Sequence, residues 1–309
     1  MRAFVFPGQG AQAIGMGQAL AEAYPAARAV FQEVDEALGE DLSALIRQGE
    51  AEALTLTANA QPALMATSLA AFRALEAEGF GIDDAAFVAG HSLGEYSALA
   101  AAGALELVDT ARLLRLRGQA MQAAVPVGAG AMAALLGLDL AAATAVADEA
   151  AAADQVCQAA NDNDPAQVVV SGHRAAVERA VELAKAHGAK RAMLLPVSAP
   201  FHCALMQPAA DAMAAALADV TIRAPAVPLV ANVRAEAVRD PEMIRALLVE
   251  QVTGAVRWRE SVQWMAAQGV TEYWEIGAGK ALCGMIRRID KAATSRAIGT
   301  PEDIAALKA

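Results

Sequence analysis

Basic residues are scarce in this chain: 24 Lys and Arg stand against 35 Asp and Glu over 309 residues, a formal net charge of −11. That balance argues against nucleic acid as the main partner, because phosphate backbones are met by basic surfaces. An acidic protein partner would need a local basic patch. Lys185, Lys190 and Arg191 form one sequence-local candidate, and Arg287, Arg288 and Lys291 another; each reads equally well as solvated helix surface. Cysteine is almost absent. Cys157, Cys203 and Cys283 are too scattered for a disulfide framework or paired metal-ligand spacing, so no metal and no resident cofactor are expected. No apolar run reaches the roughly 18 residues of a membrane span. One Arg and a few apolar residues before Pro7 and Gly8 are too little for a signal peptide. A cytoplasmic chain with no membrane contact, acting as a monomer, is expected. What is plentiful is apolar: 56% of residues, much of it alanine, which favours helices and close packing. Such a chain can build one large domain or two smaller ones.

The pattern alternates short apolar runs with long helical stretches. It predicts helices over Ala26–Leu38 and Ala58–Glu78, a buried strand at Ala85–Ala89, a helix through Gly103, and another from Val108 to Ala124. This alternation predicts an α/β layer with a largely parallel sheet. A different unit follows: strand Gly130–Leu136, helix Leu140–Ala152, strands Val156–Ala160 and Gln167–Ser171 around an Asn161–Pro165 turn, helix Arg174–His187, strand Arg191–Val197. That βαββαβ order is the ferredoxin-like pattern. After Pro196 the first style resumes, with helix Leu205–Leu217, strand Val227–Val233, helices Pro241–Gln251 and Arg259–Gln268, and strand Thr271–Ile276. The expected fold is therefore a large α/β domain, residues 1–126 and 196–309, with a small ferredoxin-like domain, residues 127–195, inserted into it. A cleft between the two is the default binding site.

Three features carry chemistry. The first is Phe6-Pro7-Gly8-Gln9-Gly10-Ala11-Gln12-Ala13, which follows an apolar run and has the spacing of a dinucleotide fingerprint. The second is Gly90-His91-Ser92-Leu93-Gly94-Glu95, a Gly-x-Ser-x-Gly elbow with a strand before it and a helix after it. A sharp strand-to-helix turn strains the serine backbone, demands small neighbours, and aims free helix N–H groups at the site. Ser92 is the candidate nucleophile and needs a base. Of four histidines, His91 points away from its neighbour Ser92, while His173 and His187 lie in the small unit. His202, in Ser198-Ala199-Pro200-Phe201-His202-Cys203, lies in a loop of the large unit and is the best base. No later acid stands in an obvious orienting position, so the third role stays open.

The third feature is a helix bearing Arg112, Arg115 and Arg117. At about 100° per residue, Arg117 falls on the apolar stripe of Leu113, Leu114, Ala120 and Met121, while Arg112 and Arg115 point to the far side. A guanidinium facing the core costs several kcal/mol (order of magnitude) unless an anion pairs with it. That anion is either an internal Asp or Glu or the carboxylate of a substrate.

Together the opening loop, the elbow, Arg117, Pro200-Phe201-His202-Cys203 and the late Glu275-Ile276-Gly277-Ala278-Gly279-Lys280 resemble the malonyl-CoA:acyl carrier protein transacylases nearly end to end. Ala11 departs from the family, which commonly has Ser there. The resemblance implies an α/β-hydrolase-like large domain and ping-pong transfer in fatty acid synthesis. Ser92, activated by His202, would take malonyl from malonyl-CoA and pass it to the phosphopantetheine thiol of holo acyl carrier protein. It further implies that Arg117 pairs with the malonyl carboxylate and that the backbone carbonyl of Gln251 orients His202. The N–H groups of Leu93 and Gln9 would form the oxyanion hole. Phe201 before His202 goes with malonyl over methylmalonyl in such proteins. Lys190 and Arg191 are the candidate carrier-docking residues.

The rivals are separable. A serine hydrolase would not need Arg117 or a covering domain. A dinucleotide site wants a second strand ending in an acid about 20 residues on, where Ala26–Leu38 reads as helix. Gly277-Ala278-Gly279-Lys280-Ala281 lacks the Gly and Ser/Thr of a phosphate loop. A non-enzymatic scaffold leaves the Ser92, His202 and Arg117 set unexplained. A malonate-decarboxylase-associated transacylase is the nearest alternative within the family.

Overall fold

A computed structural model describes residues 1–152 and 154–308 of the protein. Its larger sheet has six strands: β1 (Arg2–Phe6), β2 (Phe87–Gly90), β7 (Leu229–Val230), β8 (Ala237–Val238), β9 (Glu272–Ile276) and β10 (Thr294–Ile298). Their order is β10-β9-β1-β2-β7-β8, parallel throughout except for the β7–β8 pair. The central strand explains the architecture. Side chains alternate across a strand, so Phe4 and Phe6 enter the core on one face while Ala3 and Val5 enter the core on the other. A strand buried on both sides needs helices on both sides. One layer includes Pro25–Leu38, Thr57–Ala77 and Leu107–Ala123; the other includes Trp258–Ala267 and Ala281–Ile289.

A second sheet is antiparallel: β3 (Gly130–Leu136), β4 (Cys157–Asp164), β5 (Gln167–His173) and β6 (Arg191–Leu194), in the order β4-β5-β3-β6. Helices Leu140–Ala150 and Arg174–Ala184 cover one face, packing on Ala133, Leu135, Val168 and Val170. The other face, with Met132, Ala134 and Val169, is turned toward the parallel sheet.

Two expectations are corrected here, the Asn161–Pro165 turn and the extent of the Val227–Val233 strand. Asn161–Asp164 do not turn; they are the last residues of β4, and the turn is confined to Pro165 and Ala166. The polar run stays extended because its partners lie outside its own sheet. Asp162, 1% exposed, accepts from Arg259 at 2.8 and 2.9 Å, and Asp164 accepts from Arg288 at 2.7 Å. The strand expected over Val227–Val233 also shrinks to two residues, because Asn232 leaves the sheet to bond elsewhere. The edge strand β10 was not anticipated; it pairs along its whole length with β9. No helix among the described residues is long and apolar enough to cross a membrane.

Candidate active site

The site is built where β2 ends. A Cβ on Gly90 would sit 1.9 Å from the carbonyl carbon of Gly94, so only glycine lets the chain fold back this tightly. Ser92 takes the cost in its backbone: its φ is +53°, the left-handed region that disfavours side chains. Helix Gly94–Ala101 starts two residues later. The opening loop lies against this turn, for a Cβ on Gly8 would meet the carbonyl oxygen of His91 at 2.6 Å. That approach brings Gln9 and Leu93 into the lining of one cavity. Among the described residues, the backbone N–H of neither has an internal acceptor. Two free donors beside a strained serine suit a developing oxyanion.

His202 lies beside Ser92, 3% exposed, with its own φ at +58°. Its Nδ1 lies 2.9 Å from the carbonyl oxygen of Gln251 and 3.2 Å from that of Gly254. Carbonyls only accept, so Nδ1 carries the hydrogen and the Nε2 lone pair is left facing Ser92 Oγ at 2.7 Å. Burial, reinforced by the nearby Arg117 cation, pushes the His202 pKa down to about 3. The imidazole is therefore neutral at ordinary pH, the state a general base requires.

Arg117, on helix Leu107–Ala123, is 1% exposed and has no carboxylate within ion-pair distance among the described residues. It donates to Gln61 Oε1 at 2.7 Å, Gln251 Oε1 at 2.8 Å and Ser92 Oγ at 3.1 Å. Its Nε has no partner, and its guanidinium carbon lies 5.7 Å from the centre of the Tyr96 ring. Burial works against its charge. The helical wheel is corrected at Arg115, which is also buried; its terminal nitrogens donate to Glu40, Ala58 O and Asn59, while its Nε has no partner among the described residues. Arg112 is exposed.

Beneath these groups runs a polar layer that motif reading did not reach. Asn232 Oδ1 accepts from the Ser92 N–H at 2.8 Å, and Asn232 Nδ2 donates to Gly90 O at 2.6 Å. Gln251 Nε2 donates to Ser92 O at 3.0 Å and to Glu95 at 2.7 Å. Glu95 was visible as the last residue of the elbow motif; Gln61 and Asn232 carry no local signal. His91 turns from Ser92 and meets Asn163 Oδ1 at 2.8 Å. The cavity, about 470 Å³, is lined by Ser92, His202, Arg117 and Phe201 together with Met132, Ala134 and Val169 of the antiparallel sheet, against which Phe201 packs. Lys190 and Arg191 lie outside this lining, exposed where β6 begins. No group of three or more His, Cys, Asp or Glu among the described residues is placed to hold a metal.

A strained serine on a neutral histidine, with free N–H donors and a buried guanidinium alongside, is an arrangement chemically able to carry an acyl group on serine. Residues 3–293 match the acyl transferase domain family. The chain is 50% identical to the malonyl CoA-acyl carrier protein transacylase of Escherichia coli strain K12 over 304 residues, covering 98% of this chain and 97% of that protein. It is 47% identical to the Bacillus subtilis transacylase over 302 residues, covering 98% and 94%. The crystal structure of the acyl-carrier-protein S-malonyltransferase of Bartonella henselae superposes with a TM-score of 0.96 at 58% identity, covering 99% of this chain and 98% of that one. A malonyl-transacylase solved with the acyl carrier protein of a type II polyketide synthase superposes at 0.95 with 43% identity, covering 98% and 97%. The chain belongs to the malonyl-CoA:acyl carrier protein transacylase family of acyltransferases.

Proposed function

We propose that this enzyme moves malonyl from malonyl-CoA to the phosphopantetheine thiol of holo acyl carrier protein, by a ping-pong route through malonyl-Ser92, in fatty acid synthesis. His202 Nε2 takes the Ser92 proton as Oγ attacks the thioester carbonyl. The oxyanion is met by the N–H groups of Gln9 and Leu93. Collapse expels the CoA thiolate, which recovers the proton from His202. In the second half His202 deprotonates the carrier thiol, which attacks the ester and restores Ser92. Gln251 keeps His202 in the required tautomer through its backbone carbonyl. The observation that carries the malonyl assignment is Arg117: a buried cation with no ion-paired carboxylate among the described residues, 3.1 Å from Ser92 Oγ. A substrate carboxylate is the anion that this arrangement lacks. Phe201 in the cavity wall restricts bulk at the α-carbon, favouring malonyl over methylmalonyl.

The same reading treats the parallel sheet with its helices as an α/β-hydrolase-like domain (1–126 and 196–309) and the antiparallel sheet as an inserted ferredoxin-like domain (127–195). The βαββαβ order and the strand sequence β4-β5-β3-β6 support the latter. The enzyme works as a cytoplasmic monomer, and the exposed Lys190 and Arg191 contribute to carrier docking. Intact mass spectrometry tests the core of the proposal. Malonyl-CoA should leave a malonyl adduct on Ser92 that persists in buffer and is cleared by holo carrier protein. An adduct cleared by water alone would make this a hydrolase, and no adduct would refute both.

A further inference from the structure

Glu95 is 1% exposed and has no ion pair among the described residues, although the buried guanidinium of Arg117 belongs to the same site. The two charges are kept apart by one side chain. Gln251 Nε2 donates to Glu95 Oε2 at 2.7 Å, and Gln251 Oε1 accepts from Arg117 at 2.8 Å. The backbone N–H of Asn232 also donates to Glu95 Oε2, at 3.2 Å. The partners settle the orientation of the Gln251 amide, because Glu95 and the Ser92 carbonyl oxygen accept on one side while Arg117 donates on the other. A flipped amide would set its NH₂ against a guanidinium. A direct Glu95–Arg117 pair would neutralise the cation and occupy the donors that face Ser92. The interposed amide avoids both outcomes.

We propose that Glu95 is a positioning residue for acyl-group selection: by accepting from Gln251 it fixes the amide that aims Arg117 at the space beside Ser92. It acts through reach, as a hydrogen-bond acceptor, and does not touch the substrate. The proposal rests on the reading of Arg117 as the carboxylate-binding residue.

Two conservative variants separate reach from charge. Glu95→Gln keeps the length and an oxygen that accepts from Gln251 and Asn232, and removes the charge. Glu95→Asp keeps the charge and withdraws the acceptor by one methylene. Loading of Ser92 is measured with malonyl-CoA and acetyl-CoA as kcat/KM, alongside the melting temperature. Glu95→Asp should lower the malonyl-to-acetyl ratio about tenfold or more, the scale of one buried hydrogen bond to a charged network, while Glu95→Gln stays within about threefold of the parent. An unchanged ratio in Glu95→Asp overturns the proposal, even with a lower melting temperature, because a merely structural role would slow both substrates together. Greater damage in Glu95→Gln than in Glu95→Asp overturns it too, since that would make charge the active property. Arg117→Ala measured in parallel separates the two failures. An unchanged ratio there overturns the carboxylate reading itself, whereas a lost ratio there with an intact Glu95→Asp removes the role of Glu95 alone.

Discussion

Arg117→Ala is the substitution for which the structure gives opposite answers for stability and for activity. The side chain donates three hydrogen bonds, and truncation strands the amide oxygens of Gln61 and Gln251. Each stranded buried acceptor costs about 1–3 kcal/mol. The same truncation removes a buried cation that no carboxylate meets within ion-pair distance among the described residues, a penalty of several kcal/mol (order of magnitude) in its own right. These terms oppose, so the melting temperature should move by only a few degrees. Loading has no such offset. On the proposed pairing, a malonyl carboxylate bound without its guanidinium is a buried charge stripped of its partner, at a cost of about 3–5 kcal/mol, or roughly 10²- to 10⁴-fold in kcat/KM. Acetyl has no carboxylate to strand. It should also meet a stronger base, because Arg117 is the second largest influence holding the His202 pKa down, after burial. Rapid-quench loading followed by intact mass, with both thioesters, reads the two rates on one sample. Malonyl should fall by two orders of magnitude or more while acetyl is retained or rises. A variant that still prefers malonyl would refute the reasoning, whatever its stability.

Other consequences are checked in the same material. Gly90→Ala drives a methyl into the Gly94 backbone, so the urea midpoint should fall steeply and Ser92 should no longer be acylated; an active, stable variant would contradict the elbow geometry. Native His202 resists protonation until pH falls to about 3, whereas the unfolded side chain takes a proton near its ordinary 6.5. Stability should thus decline as pH drops from about 6.5 toward 3, and His202→Asn should flatten that limb in urea titrations. Glu95 has the opposite sign. Burial raises it to about 7, so its contribution is complete below its ordinary 4.5 and is lost as pH rises through 7; Glu95→Gln should remove that slope. Reversing Lys190 and Arg191 to Glu should slow transfer to the carrier at low salt and leave malonyl loading unchanged; equal loss in both half-reactions would place them elsewhere.

The parts of the site legible in the sequence are those whose chemistry is local. Ser92 announces itself because a strand-to-helix turn this tight requires glycines at fixed offsets, and offsets survive in one dimension. Arg117 is legible because a charge on the apolar stripe of a helix violates periodicity. The same wheel misplaced Arg115, since its partners Glu40 and Ala58 come from segments that no periodicity relates to it. Asn232 lies 140 residues from Ser92 in sequence and reaches it only because β7 pairs with β2. Nothing in its neighbourhood marks it. Without the family resemblance, Gln251 would have been equally silent, because it meets His202 through a backbone carbonyl that any residue carries.

The Asn161–Asp164 segment has the composition of a turn and the conformation of a strand. Two Asn and two Asp before Pro165 have the makeup of a turn, yet three of the side chains and the backbone of the fourth find partners outside their own sheet. Asp162 meets Arg259, Asp164 meets Arg288, Asn163 meets His91, and Asn161 forms a parallel bridge with Val256. Asp162 and Asp164 are each 1% exposed. Removing either arginine would leave a buried carboxylate unpaired, which costs more than an intact pair returns. The antiparallel sheet is thereby tied to the residue immediately before Ser92, and Met132, Ala134 and Val169 form an apolar wall of the cavity that Ser92 also lines. The proposed acyl-serine, waiting for a second thiol, must outlast the surrounding water, and exclusion is the means a protein has for this. A turn would have left the wall hinged; the paired strand fixes it. On this reading the ion pairs far from Ser92 favour transfer over hydrolysis, although none of their atoms touches the acyl group.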